Sequence, residues 1–331
     1  MTTLHHALKD GKKFLNPVPT TPLKPGAFWK IWGQYARNKA EVVPKQKLPD
    51  FETNPAIYNT PPLDGLRITL IGHSSLLIEI DGFRILTDPV WSERASFLTS
   101  IGPKRFFPPT LPLEKLPPID AIIVSHDHYD HLDKATIKKF VNSTIPFYCS
   151  LGVGGHLIKW GIPKSRITEL DWTDGIFIAN KLKITATPAR HFSGRGIIGR
   201  QQTLWSSFVI QSSKHNIFFG ADSGWYDGFK DIGDEYGPFD LTMLEIGAYG
   251  ENWPDIHMGP INAVNAHLAL RGNVMMPIHW GTFNLALHAW KEPIERLLPY
   301  AAEKNVTLFI PEPGQPTEVT GAAFNSKWWE K

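Results

Sequence analysis

The chain is predicted to fold as an α+β protein, with two packed sheets and helices outside them. Three observations predict this. The runs "RITLIG", "SLLIEI" and "FRILTDP" read as consecutive hairpin strands, with a tight turn at Asp81-Gly82. Later strand-like runs alternate with helical stretches, so one doubly wound parallel sheet is a poorer match. The 331 residues are 42% hydrophobic and 20% charged, a globular composition long enough for a sizeable core.

The elements follow in order. "AIIVS" is a short apolar run suited to a buried strand, and "KATIKKFVN" follows it as a helix. "KITATP", "SSFVIQ", "NIFFG" and "LTMLEI" are further strands. "INAVNAHLALRG" is a helix stopped at Gly272, because glycine accepts the left-handed backbone that closes a helix. "NVMMPI" is a strand, "EPIERLLPYAAEKN" a helix with Pro293 near its start, and "VTLFI" the last strand.

Residues 1–66 differ from residues 67–331. They carry the proline- and lysine-rich segments "NPVPTTPLKPG" and "EVVPKQKLPDFETNP", both expected to be extended. Between them Phe28, Ile31, Trp32, Tyr35 and Ala36 form a helical stripe. The first reading is an N-terminal extension packing this stripe on the main domain. The second is contact with a membrane surface, since Lys30, Arg37 and Lys39 accompany the aromatics.

Composition excludes several classes. A net charge of +2 gives no basic excess for generic nucleic-acid binding. Cys149 is the single cysteine, so an intrachain disulfide and a thiolate metal cage are both excluded, and a reducing compartment is expected. "MTTLHHALKDGKKF" has no apolar signal region, and no run approaches the ~18 apolar residues of a membrane span. The expected location is cytoplasmic, with any membrane contact peripheral. The oligomeric state is left open.

The chemistry concentrates in "HDHYDH". His126, His128, Asp130 and His131 cannot all face one ion from one regular strand or helix. A turn leaving a strand can aim them at two neighbouring sites, which predicts a dinuclear centre. Imidazole and carboxylate suit zinc first, with iron and manganese as alternatives. Further candidate ligands end other apolar runs: His191 after "KITATPAR", Asp222 after "NIFFGA" and His279 after "NVMMPI". Strand ends are where loops present functional groups above a rigid sheet.

"HDHYDH" matches the H-x-H-x-D-H motif of the metallo-β-lactamase superfamily. With "LTDPVWSERAS", "IGPKRF", "HYDHLD", "ELDW", "GPFDL", "IGAY" and "IHWGTF", the stretch from about Arg67 to Ile310 resembles the N-acylphosphatidylethanolamine-hydrolysing phospholipase D family. The resemblance implies a four-layer αββα sandwich with metals at one edge. It implies that His126, His128 and His191 hold one ion, that Asp130, His131 and His279 hold the other, and that Asp222 bridges them. It also places a functional, non-ligand histidine at His257.

Two divalent ions against Asp130, Asp222 and a bridging hydroxide leave a single positive charge, which suits a phosphodiester. Such a centre would supply the hydroxide that attacks phosphorus. Asp130, Asp222 and His257 are the candidate catalytic groups, with His257 as general acid or phosphoryl-oxygen donor. Asp88 in "LTDP" is a candidate for orienting a ligand histidine. His73 is a candidate to line the site, with a buried, hydrogen-bonded histidine as the preferred reading, and His215 is read as a solvated one. Arg190, Arg195 and Arg200 flank His191 and could meet a phosphate, although polar-loop arginines are usually only solvated.

The expected function is metal-dependent hydrolysis of a glycerophospholipid or other phosphodiester. A lactone or other ester hydrolase of the same fold is the alternative, and a non-catalytic lipid- or metal-binding protein is the reading from another class.

Overall fold

The computed structural model describes residues 4–24, 26, 30, 33–34, 37–98, 100–196 and 199–331. The stripe Phe28, Ile31, Trp32, Tyr35 and Ala36 lies outside the described residues. A short N-terminal hairpin pairs β1 (Lys9–Asp10) with β2 (Lys13–Phe14).

Two sheets carry the rest. The first contains β3 (Leu66–Gly72), β4 (Ser75–Ile80), β5 (Phe83–Thr87), β6 (Ala121–Val124), β7 (Phe147–Ser150), β8 (Ile167–Leu170) and β16 (Thr317–Glu318). Its spatial order is β16-β3-β4-β5-β6-β7-β8. The second contains β9 (Gly175–Ile178), β10 (Leu182–Thr187), β11 (Ser207–Gln211), β12 (Asn216–Phe219), β13 (Phe239–Glu245), β14 (Gly272–Ile278), β15 (Thr307–Ile310) and β17 (Phe324–Asn325). Its order is β17-β15-β14-β13-β12-β11-β10-β9. The β3-β4-β5 and β9-β10-β11-β12 stretches are antiparallel. From β5 to β8, and from β12 through β15 to β17, neighbours are parallel. The Asp81-Gly82 turn has positive φ at both residues, as a two-residue hairpin turn requires.

The alternation of side chains along each strand assigns the layers. In the first sheet Ile68, Ile78, Ile85 and Ile123 point toward the second sheet, where Ile184, Phe208, Ile210 and Met243 meet them. The intervening Ile71, Leu77, Leu86 and Ile122 point outward, under the helices Lys134–Lys139 and Val153–Lys159. On the far side Phe218, Leu244 and Met275 pack beneath the helices Gly228–Tyr236, Gly259–Ala269 and Glu292–Glu303. With both faces covered, these strands carry apolar residues on both sides rather than on one. Fully burying each such leucine or isoleucine contributes about 1.5–3 kcal/mol. The result is a four-layer αββα sandwich. Among the described residues, no helix is long and apolar enough to cross a membrane.

Candidate metal centre

One edge of the sandwich collects the candidate residues because several strands end there. His126–His131 leave β6 in a turn before the helix Lys134–Lys139, which Asp133 caps by accepting from the Ala135 amide at 3.1 Å. His191 follows β10, Asp222 follows β12 and His279 follows β14. His73 occupies the β3-β4 turn and Asp88 follows β5. His73, Asp88 and His279 all have positive φ (60°, 35° and 61°), strain of the kind that collects at functional sites. Gly247 lets the loop after β13 approach His279, since a Cβ there would lie 2.2 Å from the His279 carbonyl oxygen.

Two sets of donor atoms contain the predicted ligands: His126, His128, His191 and Asp222 form one, and His73, Asp130, His131 and His279 the other. A third group, Asp222, Glu245, His257 and His279, overlaps both through Asp222 and His279. Asp222 links the first two sets. Its Oδ2 is 3.2 Å from His131 Nε2 and 3.7 Å from His191 Nε2, and its Oδ1 is 3.1 Å from His279 Nε2.

Protons on the far side of the rings decide which nitrogens are free. His131 Nδ1 donates to Asp88 Oδ2 at 2.7 Å, and His191 Nδ1 donates to the Ile256 carbonyl at 2.8 Å. Ser125 Oγ gives its proton to Asp88 Oδ2 and so accepts from His126 Nδ1, at 2.9 Å. The Nε2 atoms of these three rings are therefore left to face the centre. His126 Nε2 and His191 Nε2 stand 2.9 and 3.2 Å from His128 Nδ1. A tetrahedral ion holding nitrogens about 2.0–2.1 Å away sets them roughly 3.3 Å apart, close to this spacing.

The electrostatics agree. Burial, with the neighbouring imidazoles, pushes the protonation of His126 well below its ordinary value. Burial also outweighs Asp222 at His191, which is likewise pushed well down. Neutral imidazole is the form that binds a metal. In the second set burial alone would lower His131 and His279. The carboxylates outweigh it, with Asp222 foremost, and hold His131 well above its ordinary value and His279 up at about 10. Those protons stand where cations would otherwise balance Asp130 and Asp222. His131 Nε2 and Asp222 Oδ1 are buried and make no hydrogen bond among the described residues, as expected of atoms left for a metal. The donor set fits divalent metal ions.

Asp88 is buried and accepts from the Ser125 amide and hydroxyl as well as from His131, at 2.7 Å each. Asp88→Ala is expected to weaken metal affinity about 10- to 100-fold. Competition with a chromophoric chelator measures this.

Two groups were harder to foresee. His73 is buried and bonded through Nε2 to Asp130 Oδ2 at 2.9 Å, and it stands within the second donor set. Glu245, at the end of β13, accepts from the Ser223 amide at 2.9 Å and holds His257 Nδ1 at 2.6 Å. The run "LTML" stops at an acid, Glu245, just as neighbouring runs stop near ligands, and that was the available signal. Burial alone would lower His257, but Glu245 outweighs it and the imidazole stays protonated above its ordinary range. The His257 ring is 5.1 Å from that of His191 and 5.4 Å from that of His279.

Asp127 and Tyr129 fix the turn from both sides. Asp127 accepts from the Gly194 amide at 2.7 Å, and Tyr129 OH donates to the Arg195 carbonyl at 2.6 Å, tying the turn to the loop after His191. The N-terminal segment is tied there too. Asn16 pairs with both backbone groups of His191, at 2.7 and 2.9 Å. His215, expected to be solvated, is instead largely buried against Asp81 Oδ2 at 3.0 Å. Cys149 is buried in β7, away from the donor sets.

Above the donors lies a cavity of ≈ 390 Å³. His128, Asp130, Asp222 and His257 form its floor, and Leu23, Phe192, Trp253 and Leu285 are among its apolar walls.

Comparison with known proteins agrees with this architecture. The family model described as "Beta-lactamase superfamily domain" matches residues 83–280. An uncharacterized protein of Mycobacterium tuberculosis is 46% identical over 303 residues, covering 90% of this chain and 80% of that one. The N-acyl-phosphatidylethanolamine-hydrolyzing phospholipase D 1 of Caenorhabditis elegans is 38% identical over 245 residues, covering 70% of this chain and 69% of that one. Among solved structures, an isothiocyanate hydrolase from Delia radicum gut bacteria shares the fold, with a TM-score of 0.62, 20% identity and coverage of 76% and 99%. On these grounds the chain belongs to the metallo-β-lactamase superfamily of metal-dependent hydrolases and, within it, to the family of the N-acyl-phosphatidylethanolamine-hydrolysing phospholipases D.

Proposed function

We propose that the protein is a dinuclear phosphodiesterase of phospholipase D type, acting on N-acylphosphatidylethanolamine-like glycerophospholipids. The observation that carries this is Asp222, set between two donor groups beneath an apolar-walled cavity that also presents His257. The likeness to a phospholipase D of Caenorhabditis elegans supports the substrate class.

His126, His128 and His191 would hold one ion, and Asp130, His131 and His279 the other, with Asp222 shared. Zinc suits this nitrogen and oxygen set, and iron or manganese would also be accepted. When bound, such a pair lowers the pKa of a water and offsets charge on the phosphoryl oxygens.

The chain's own residues do the rest. Asp88, Ser125 and the Ile256 carbonyl fix the tautomers of the ligand imidazoles, so their lone pairs are preoriented. Glu245 holds His257 through Nδ1 and raises its pKa, which favours a proton on Nε2 as well. Facing the cavity, Nε2–H gives its proton to the departing alkoxide, and Glu245 keeps the neutral ring in place. The apolar walls exclude water and accept alkyl groups near the phosphate.

A lipid substrate requires the cavity mouth to meet a bilayer from the side, so peripheral membrane contact is part of the proposal. Leu23 at the cavity wall is 47% exposed. Phe97, whose ring is 6.2 Å from that of Tyr129, is 74% exposed. Both would offer apolar contact on that approach.

A substrate panel tests the reading. The metal-loaded protein is expected to convert an N-acylphosphatidylethanolamine to phosphatidate and N-acylethanolamine, and to cleave bis-p-nitrophenyl phosphate. Hydrolysis of a lactone alone would overturn it in favour of an ester hydrolase. Binding of the lipid with no turnover of any member would favour a non-catalytic role.

A further inference from the structure

Three arginines bracket His191, and the structure treats them differently. Arg190 is spent on structure. Its Nε donates to Thr20 Oγ1, its Nη1 to the Trp225 carbonyl and its Nη2 to the Pro19 carbonyl, and it pairs with Asp255 at 3.1 Å. Arg195 is also spent. Its Nη1 donates at 2.7 Å to the Asp127 and Leu132 carbonyls, and its guanidinium lies over the Tyr129 ring at 4.0 Å. Arg200 is exposed, and among the described residues its one hydrogen bond is a long one, from Nε to the Gly196 carbonyl at 3.3 Å. It lines the same cavity as His128, Asp130, Asp222 and His257.

The charge of that cavity is one-sided. Its carboxylates, Asp130 and Asp222, are turned to the histidines: Asp130 Oδ2 is 2.9 Å from His73 Nε2 and 3.3 Å from His279 Nε2, and Asp222 is 3.2 Å from His131 Nε2 and 3.1 Å from His279 Nε2. Apart from His257 and the donor sets, Arg200 is the only charged side chain among the described lining residues. A phosphate entering there meets a guanidinium whose two terminal nitrogens make no hydrogen bond among the described residues. A cationic headgroup entering there meets like charge and finds no free carboxylate.

We propose that Arg200 is a specificity-determining residue, contacting the substrate's phosphoryl oxygens and favouring phosphodiesters of net negative charge over zwitterionic ones. N-acylation of an ethanolamine headgroup removes its positive charge, so such lipids fall in the favoured class. The assignment rests on the phosphodiesterase reading above.

Two soluble probes separate the possibilities: bis-p-nitrophenyl phosphate, which is anionic, and p-nitrophenylphosphorylcholine, which is zwitterionic. Both report hydrolysis through nitrophenolate. The wild-type protein is expected to prefer the anionic probe. Arg200→Gln is expected to lower kcat/KM on it about tenfold, mainly through KM, and to change the zwitterionic probe little. Arg200→Lys is expected to retain most of the preference, since it keeps the charge. An equal fall on both probes, or no fall on either, would overturn the role of Arg200 while leaving the phosphodiesterase reading intact. A wild-type protein that cleaves neither probe would remove both, because Arg200 would then have no phosphate to hold.

Discussion

Asp222→Asn is expected to lower phosphodiester hydrolysis about a thousandfold or more, equivalent to about 4 kcal/mol of transition-state stabilisation. The change is nearly isosteric, so circular dichroism should match the wild type. Its effect is electrostatic. Asp222 is the carboxylate within reach of His131, His191 and His279 together, and an amide there lacks the charge to hold two cations close to each other. Metal analysis should show the loss of at least part of the bound metal. Wild-type turnover by this variant would mean that Asp222 does not join the two donor sets.

His257→Ala is expected to act on turnover and to leave metal content unchanged. General acid groups typically contribute about 10²- to 10⁴-fold, and the size depends on the leaving group. An alkoxide leaves poorly and needs the proton. A nitrophenolate leaves well without it. The variant should therefore lose about 10²-fold or more on an N-acylphosphatidylethanolamine and under about tenfold on bis-p-nitrophenyl phosphate. Equal losses on both would argue that the side chain only shapes the cavity, and lost metal would make it a ligand. Glu245→Gln should show the same leaving-group pattern in weaker form, because Glu245 acts through His257.

The extent to which this site could be read in advance depends on how each residue declares itself. His126–His131 is dense enough to point to a metal centre unaided, and the strand-end positions of His191, Asp222 and His279 follow from apolar runs that stop at a donor. Asp88 was legible as a carboxylate closing a strand. Glu245 had the same signal, but an acid after "LTML" also reads as the exposed end of a strand. His73 stands alone in a turn, and nothing near it in sequence distinguishes a donor from a packed imidazole. Asn16 was illegible, because its value lies in two hydrogen bonds to a backbone 175 residues away. Asp127 and Tyr129 carried no signal of their role, because their partners, Gly194 and Arg195, lie across the site.

The fold shows the same division. The strands with dense apolar runs, β3 to β6 and β10 to β14, match those runs in the sequence to within a residue or two. The helix Val153–Lys159 contains Gly154 and Gly155 and is set by packing of Val153 and Leu157 against the first sheet. Strand β9 is half exposed with a glycine at its start, so its pattern is weak, and it is defined by pairing with β10.

The central claim is that one carboxylate unites two donor sets into one catalytic centre. It is tested most directly by stripping the protein of metal and titrating zinc back while following bis-p-nitrophenyl phosphate hydrolysis and bound metal together. Activity should rise until two equivalents are bound and then level off. Full activity at one equivalent, unchanged by the second, would contradict the dinuclear account.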